Sequence, residues 1–293
     1  MKCLSNVLLK TKEIYNDLNQ TEKIIATYLL DNTNNVLNLS IKELSIRSGV
    51  SQAAWVRFCK TLGFTGLKDL KKELINDEIG DRFDPSPDNG DKYSDIKYAS
   101  EASTIAERVC RNNIQAIEST LSIVDFEQID KAVEAIMKAK RIVFFGTGAS
   151  GVVATDAQFK FMRIGKNAIS YCDHHMQMTV ASTLTKDDVA FIISYSGATR
   201  EMIEISNIAQ NSGAVIIAMT KYGKNVISQC ADIILHTSAT EIVKRSGAMG
   251  SRIAQLTVID ILFTCVANRS YDDIEKSLNN SYKYTSKHKV DNK

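Results

Sequence analysis

From Arg141 onward, five short apolar runs alternate with stretches of helical spacing, and few architectures accept that order. Residues 142–145, 168–171, 189–194, 215–220 and 233–236 are the candidate strands. A strand that reads apolar throughout must be covered on both faces, which parallel sheets achieve by returning through helices. The intervening stretches predict helices over about 151–164, 176–183, 199–211, 226–230 and 251–267. Two more are expected ahead of the sheet, over about 101–121 and 126–138.

The segment from Thr21 to about Asp77 has a different rhythm, with short helical patterns, polar turns and no convincing strand. Thr21 can cap a helix that places Ile24, Ile25, Tyr28 and Leu29 at helical spacing. Ser40, followed three residues later by Glu43, fits a capping box opening a second helix through Ile41, Leu44 and Ile46. Gly49 suits a tight turn, and Ser51 can cap the helix after it. Both prolines of the chain, Pro85 and Pro87, fall in a stretch rich in Gly, Asp and Ser that reads as a linker. The 293 residues therefore divide into an all-α domain over 1–78, a linker over 79–100 and an α/β domain over 101–285.

Hydrophobic residues at 44% and charged residues at 24% exclude a disordered or fibrous chain. The first residues lack a long uncharged apolar core with a cleavage site, and no later uncharged apolar span is long enough for a membrane. The expectation is a cytoplasmic protein without a membrane partner. Cys3, Cys59, Cys110, Cys172, Cys230 and Cys265 are scattered without CxxC or Cys/His metal spacing. They read mostly as reduced core residues, and neither a metal nor a cofactor is expected.

The net charge of +2 says little about nucleic acid, but its distribution says more. Between Gln52 and Lys72, Arg57, Lys60, Lys68, Lys71 and Lys72 face the single acid Asp69. The helix opening at Ser51 stands where the second helix of a helix-turn-helix lies in the major groove. Ser51, Gln52, Ala53, Ala54 and Arg57 then fall on or near its groove side. Gln can bond adenine in bidentate fashion and Arg guanine, whereas Ala offers a methyl contact. Lys60, Lys68 and Lys71 are the candidates for DNA backbone contacts. The alternative is a helical hairpin whose charges are solvated.

Two strand ends carry a second chemistry. Residues 146–151 read GTGASG and run into a helix, so Gly148 and Ser150 lie where backbone and hydroxyl can approach a ligand. That spacing also suits a dinucleotide site, for which Asp173, about 22 residues beyond, is the only acid at the expected distance. Residues 194–201 read SYSGATRE directly after an apolar run. Ser194, Ser196 and Thr199, with Gly197 in the bend, form a nest of neutral donors suited to phosphate. An ordinary hydroxyl-rich βα turn is the alternative. His174 and His175 follow a strand end and read equally as ligand contacts or helix-start residues.

The order QTEKIIATYLL and LSIKELSIRSGVSQAAWVRFCKTLGFTGLKDLK resembles the N-terminal domain of the RpiR family of transcriptional regulators. GTGAS with SYSGATRE resembles a sugar isomerase (SIS) domain over roughly 124–270. The resemblance implies a sequence-specific regulator whose SIS domain takes a phosphorylated sugar. It assigns phosphate-binding hydroxyls to Ser194, Ser196 and Thr199 and a sugar contact to Ser150, and it places Glu241, Arg245 and Ser246 near the ligand, although Glu241 and Arg245 read equally as a surface ion pair of helix ends. N-acetylmuramic acid 6-phosphate heads the effectors it suggests, and a homodimer or homotetramer is implied. Trp55 stands where relatives usually carry Val or Ile, so it must fill a larger core space or tilt the helix. Tyr195 stands where many SIS enzymes carry Gln. An SIS-type isomerase or lyase is the rival reading, with Glu201, Glu241, His174 and His175 as its acid–base groups. A scaffold using the fold only to oligomerise is the third. The regulator without catalysis is favoured because an ordinary enzyme has no use for an attached helix-turn-helix.

Overall fold

A computed structural model of the chain describes residues 6–78, 101–239 and 247–271, together with 275, 279, 282 and 283. The expected linker over 79–100 lies outside the described residues. The chain forms two compact units, Met1–Ile123 and Val124–Lys293.

The first unit is all helical: α1 (Asn6–Ile14), α2 (Gln20–Asp31), α3 (Thr33–Asn38), α4 (Ile41–Ser48), α5 (Gln52–Thr61), α6 (Leu67–Glu78) and α7 (Ala102–Ile123), with a short 3-10 turn at Tyr15–Asp17. Helix α7, assigned by the sequence reading to the second domain, contacts α1 and falls in this unit. Local chemistry sets the helix starts. Asn19, not the expected Thr21, caps α2 by accepting from the Glu22 amide at 3.0 Å while its own amide group donates back to Glu22. Asparagine two residues earlier offers the same acceptor plus a donor, so it takes the reciprocal pairing. The Ser40–Glu43 capping box is present, with the Ser40 amide donating to the Glu43 carboxylate at 2.8 Å. The two hydrogen bonds with Ser40 hold the Glu43 carboxyl below its ordinary value. Gly49 closes α4 at φ +71°, and Ser51 caps α5 through the Ala54 amide.

The core of this unit gathers Ile25, Ala26 and Leu29 of α2, Leu44 of α4, and Ala54, Trp55, Phe58 and Cys59 of α5, with Leu70 and Leu74 of α6. Trp55 is wholly buried, edge-on to Tyr28 and Phe58, and its indole N–H donates to the Ser48 hydroxyl at 2.9 Å. It fills core space, and its polar atom is satisfied. Ile46, expected to continue the apolar stripe of its helix, instead stands 72% exposed.

The second unit follows as α8 (Phe126–Lys138), β1 (Arg141–Phe145), α9 (Gly148–Arg163), β2 (Ala168–Ser170), α10 (His174–Ala181), β3 (Asp188–Ile193), α11 (Arg200–Ser212), β4 (Val215–Lys221), α12 (Val226–Cys230), β5 (Ile233–Thr237) and α13 (Met249–Arg269). All neighbouring strands are parallel, in the order β2-β1-β3-β4-β5. Alternate strand residues feed two cores. Phe144, Phe191, Ile217 and Leu235 pack with α8, α9 and α13, whereas Phe145, Ala190, Ile192 and Ala218 pack with α10, α11 and α12. Every residue of β3 is buried, which is why Val189–Ile193 reads as an unbroken apolar run after Asp188. Helix α13 has the length and composition of a membrane span, yet it buries Val258, Ile259, Leu262 and Val266 in the first of these cores. Its exposed positions are Asp260, Thr264, Asn268 and Arg269.

Below the sheet, Arg141 and the Thr185 amide both donate to Asp188 at 2.8 and 2.9 Å. Burial pushes the Asp188 carboxyl up, but the hydrogen bonds from Arg141 and Thr185 outweigh it and hold the group below its ordinary value. Of the five described cysteines only Cys59 is buried, and burial pushes its thiol up to about 12. Cys110 and Cys172 are exposed, against the expectation that most are core residues. That expectation rested on residue type alone, and neither helix α7 nor the β2–α10 loop turns its cysteine inward.

Candidate functional sites

Strands β1 and β3 are neighbours, but the chain leaves them towards opposite sides of the sheet, and such a switch point opens a crevice at the carboxyl ends of the strands. Both sequence motifs begin there. After β1, a side chain on Gly146 would sit 2.7 Å from the Ser150 carbonyl oxygen, and one on Gly151 would sit 3.2 Å from the Gly146 oxygen. The two glycines let strand end and helix turn meet backbone to backbone. Gly148 opens α9 at φ +55°, and no side chain caps that first turn among the described residues. Ser150 is tied to the buried Gln255 of α13, with 3.2 Å between the Gln255 amide nitrogen and the hydroxyl.

After β3, Ser194 is buried, and its hydroxyl lies 2.9 Å from that of Thr199 at the start of α11. Ser196 is exposed and accepts from the Ala198 amide at 3.2 Å. Gly197 turns the loop at φ +63°, where any side chain would collide with Asn225, its first carbon falling 2.0 Å from the Asn225 oxygen. Asn225 is itself fixed as the cap of α12 and as donor to Thr220. The loop is thus held from behind by a residue that carries no motif. Tyr195 turns away from the hydroxyls: its own hydroxyl donates to the Ala239 carbonyl at 2.9 Å and accepts from the Ala239 amide at 3.1 Å. No lysine or arginine lies within Ser194–Thr199, and Arg200 pairs with Glu204 on the exposed surface of α11.

Gln177, wholly buried in α10, donates to the Gly146 and Tyr171 carbonyls at 2.9 and 2.8 Å and so joins the first loop to the exit of β2. Asn225, Gln177 and Gln255 escaped the sequence reading, since each acts through contacts that no local spacing reveals. A cleft of about 390 Å³ runs along α9, lined by Gly146, Gly148, Gly151, Val152, Thr155, Asp156, Phe159 and Cys172. It shares the first loop with the switch-point crevice but not the hydroxyls of the second. The crevice is the better candidate for a ligand, because there two loops bring backbone and hydroxyl donors to adjacent strand ends.

His174 begins α10 with its Nε2 3.7 Å from Glu204, while His175 is exposed. Glu241, Arg245 and Ser246 lie outside the described residues. No group of three or more His, Cys, Asp and Glu side chains able to hold a metal is found among the described residues.

In the first unit, α4, the Gly49 turn and α5 form the helix-turn-helix. Ser51, Gln52, Ala53, Arg57 and Lys60 are exposed along α5, and Lys68 and Lys72 are exposed on α6. Two expectations need correction. Ala54 is buried, because its position on α5 turns it towards the core beside Trp55. The Lys71 ammonium donates to the Leu39 carbonyl, and partial burial pulls its pKa down, so it is not a free backbone contact.

Comparison with known proteins matches the same two parts. Residues 5–79 fit the helix-turn-helix domain of the rpiR family, and residues 135–265 fit the SIS domain. An uncharacterized HTH-type transcriptional regulator of Caldanaerobacter subterraneus subsp. tengcongensis is 40% identical over 289 residues, covering 99% of this chain and 100% of that protein. The uncharacterized HTH-type regulator YbbH of Bacillus subtilis is 35% identical, over 86% of this chain and 87% of its own. In fold, the chain is similar to the Vibrio vulnificus NanR protein, solved in complex with ManNAc-6P, at a TM-score of 0.61 and 22% identity over 97% of this chain and 100% of that one. A helix-turn-helix with an exposed basic recognition helix, a doubly wound SIS domain and full-length similarity to such regulators place this chain in the rpiR family of transcriptional regulators.

Proposed function

We propose that the second unit binds a phosphorylated sugar at the β1–β3 switch point and that this binding alters how the helix-turn-helix occupies its operator. The observation that carries the reading is the Ser194–Thr199 loop: paired hydroxyls, a left-handed glycine and the start of α11 converge on one strand end, with no Lys or Arg among these six residues. Such a nest neutralises a phosphate through N–H and O–H groups and the helix dipole. The ManNAc-6P bound by the Vibrio vulnificus NanR protein supports the ligand class. N-acetylmuramic acid 6-phosphate is the first candidate, with other hexosamine and hexose phosphates after it.

The ligand binds one arrangement of a homodimer or homotetramer better than another and so shifts its population, changing the DNA-bound fraction. Gln52 and Arg57 read bases, Ser51 and Ala53 stand at the groove, and Lys60 and Lys68 meet phosphates. The protein senses the sugar without converting it. Among the described residues, His174 is engaged with Glu204 rather than set against a second acid–base group in the loop. The test is a thermal-shift screen with sugar phosphates, in which a ligand at 100 times its Kd stabilises by about 2.7 kcal/mol, followed by NMR of the recovered ligand. Unchanged ligand with altered operator affinity is expected; turnover lost on substituting Glu201 would return the isomerase or lyase reading.

A further inference from the structure

Helix α7 has a buried side and an exposed apolar one. Ala116, Ser119, Thr120 and Ile123 are buried on one. On the other stand Cys110, Ile114, Ile117 and Leu121, exposed, with the last three at 44%, 40% and 57%. At 100° per residue these four positions fall within an arc of about 60°. Their spacing of four, three and four residues is that of a coiled-coil seam, on which apolar side chains of one helix fit between those of another.

We propose that this seam pairs, antiparallel, with α7 of a second copy of the chain. The spacing is symmetric about its own centre: reversing the helix sets Cys110 opposite Leu121 and Ile114 opposite Ile117, so that each apolar position meets an apolar one. The flanking charges then agree. Arg111 and Glu118 follow the seam residues Cys110 and Ile117 on the same edge, and an antiparallel partner brings Arg111 of each copy against Glu118 of the other, twice across the two-fold axis. A parallel pairing would set Arg111 against Ala106 and Glu118 against Asn113, and it would bring the two Cys110 thiols together. Among the described residues, the ion pair of Arg111 is a weak exposed one with Glu107 at 3.9 Å. Because α7 belongs to the unit that carries the helix-turn-helix, the pairing ties two heads about one axis. It stands independently of which ligand the other unit binds.

The test is disulfide trapping in the full-length chain carrying Leu121→Cys, equilibrated in a glutathione buffer. Antiparallel pairing gives a covalent dimer whose linked peptides join Cys110 to the new sulfur at position 121 of the other copy. A link within one helix cannot form, since eleven residues separate the two positions by roughly 16 Å, far beyond disulfide reach. Arg111→Glu or Glu118→Arg alone should lower the trapping rate about fivefold, and the two together should restore it. The unsubstituted chain should give no Cys110-to-Cys110 link. Such a link, an absent dimer in the Leu121→Cys chain, linkage to Cys172, Cys230 or Cys265, or indifference to charge reversal would each overturn the proposal.

Discussion

The two sites of this molecule use their side chains in opposite ways. On the recognition helix α5, the groups proposed to meet DNA stand clear of the core: Gln52, Arg57 and Lys60 are exposed, while Trp55 and Phe58 on the other side carry the packing. In the proposed phosphate loop no such division exists. Ser194 is buried and bonded to Thr199, Gly197 is wedged against Asn225, and Tyr195 anchors Ala239. On this reading the head can change its specificity at little risk to its stability, whereas the proposed binding groups of the second unit are also structural parts. Substitutions should therefore separate cleanly into binding and stability effects in the first unit and mix them in the second.

The largest effect should come from a Ser194→Ala, Ser196→Ala double variant. A hydrogen bond to a charged group is worth about 1.5 to 3 kcal/mol, so sugar-phosphate affinity should fall a hundredfold or more while operator binding without ligand stays at the parent level. Isothermal titration and DNA-binding assays measure the two separately. A double variant responding at the parent's ligand concentration would remove the phosphate from this loop. Gly197→Ala should follow. It forces a side chain into a left-handed conformation and into Asn225, at a combined cost of about 2 to 4 kcal/mol to the second unit, read as a lowered Tm. If Gly197→Ala lost ligand binding with an unchanged Tm, the loop would be separable from the fold and the contrast with the head would fail.

Asp188 tests whether the opposite end of the same sheet is purely structural. Its carboxyl lies below the ordinary value in the folded chain, so the stability it contributes is complete above the unfolded pKa of about 3.9 and is lost as the pH falls through the folded value. Asp188→Asn should cost about 1 to 3 kcal/mol at neutral pH, flatten the acid limb of the stability curve, and leave sugar-phosphate affinity alone.

What the sequence disclosed follows the range of each interaction. Ser40, Gly49 and Ser51 were legible because a cap and a left-handed turn are decided within three or four residues. The central strands were legible because burial on both faces leaves runs such as Val189–Ile193 and Ile216–Met219 apolar. Asn19 was missed although its partner Glu22 stands three residues on, because Thr21 offered a competing cap. Lys71 looked like every other lysine of its segment until the fold brought it to Leu39, and Asn225 had no reason to be singled out until Gly197 folded against it. The hydroxyls of the site were written in a motif, and the residues that aim them were not.

The head's side of the comparison rests on two smaller effects. Arg57→Ala should weaken operator binding by about 1 to 3 kcal/mol more than binding to random DNA, because a bidentate contact to guanine is lost, and its Tm should match the parent's. The smallest effect belongs to Lys68, which is exposed on α6 and has no base within its role. A phosphate contact carries no sequence information, so Lys68→Ala should weaken operator and random DNA by the same factor and reduce the slope of log affinity against log salt by about 1. Raising the salt should therefore shrink the difference between variant and parent, since the ions displaced by that lysine no longer contribute. The same substitution should leave thermal stability within about 0.5 kcal/mol of the parent, as expected for an exposed side chain away from caps and core. Equal salt slopes for variant and parent would place Lys68 off the DNA and confine the backbone contacts to Lys60 and its neighbours on α5.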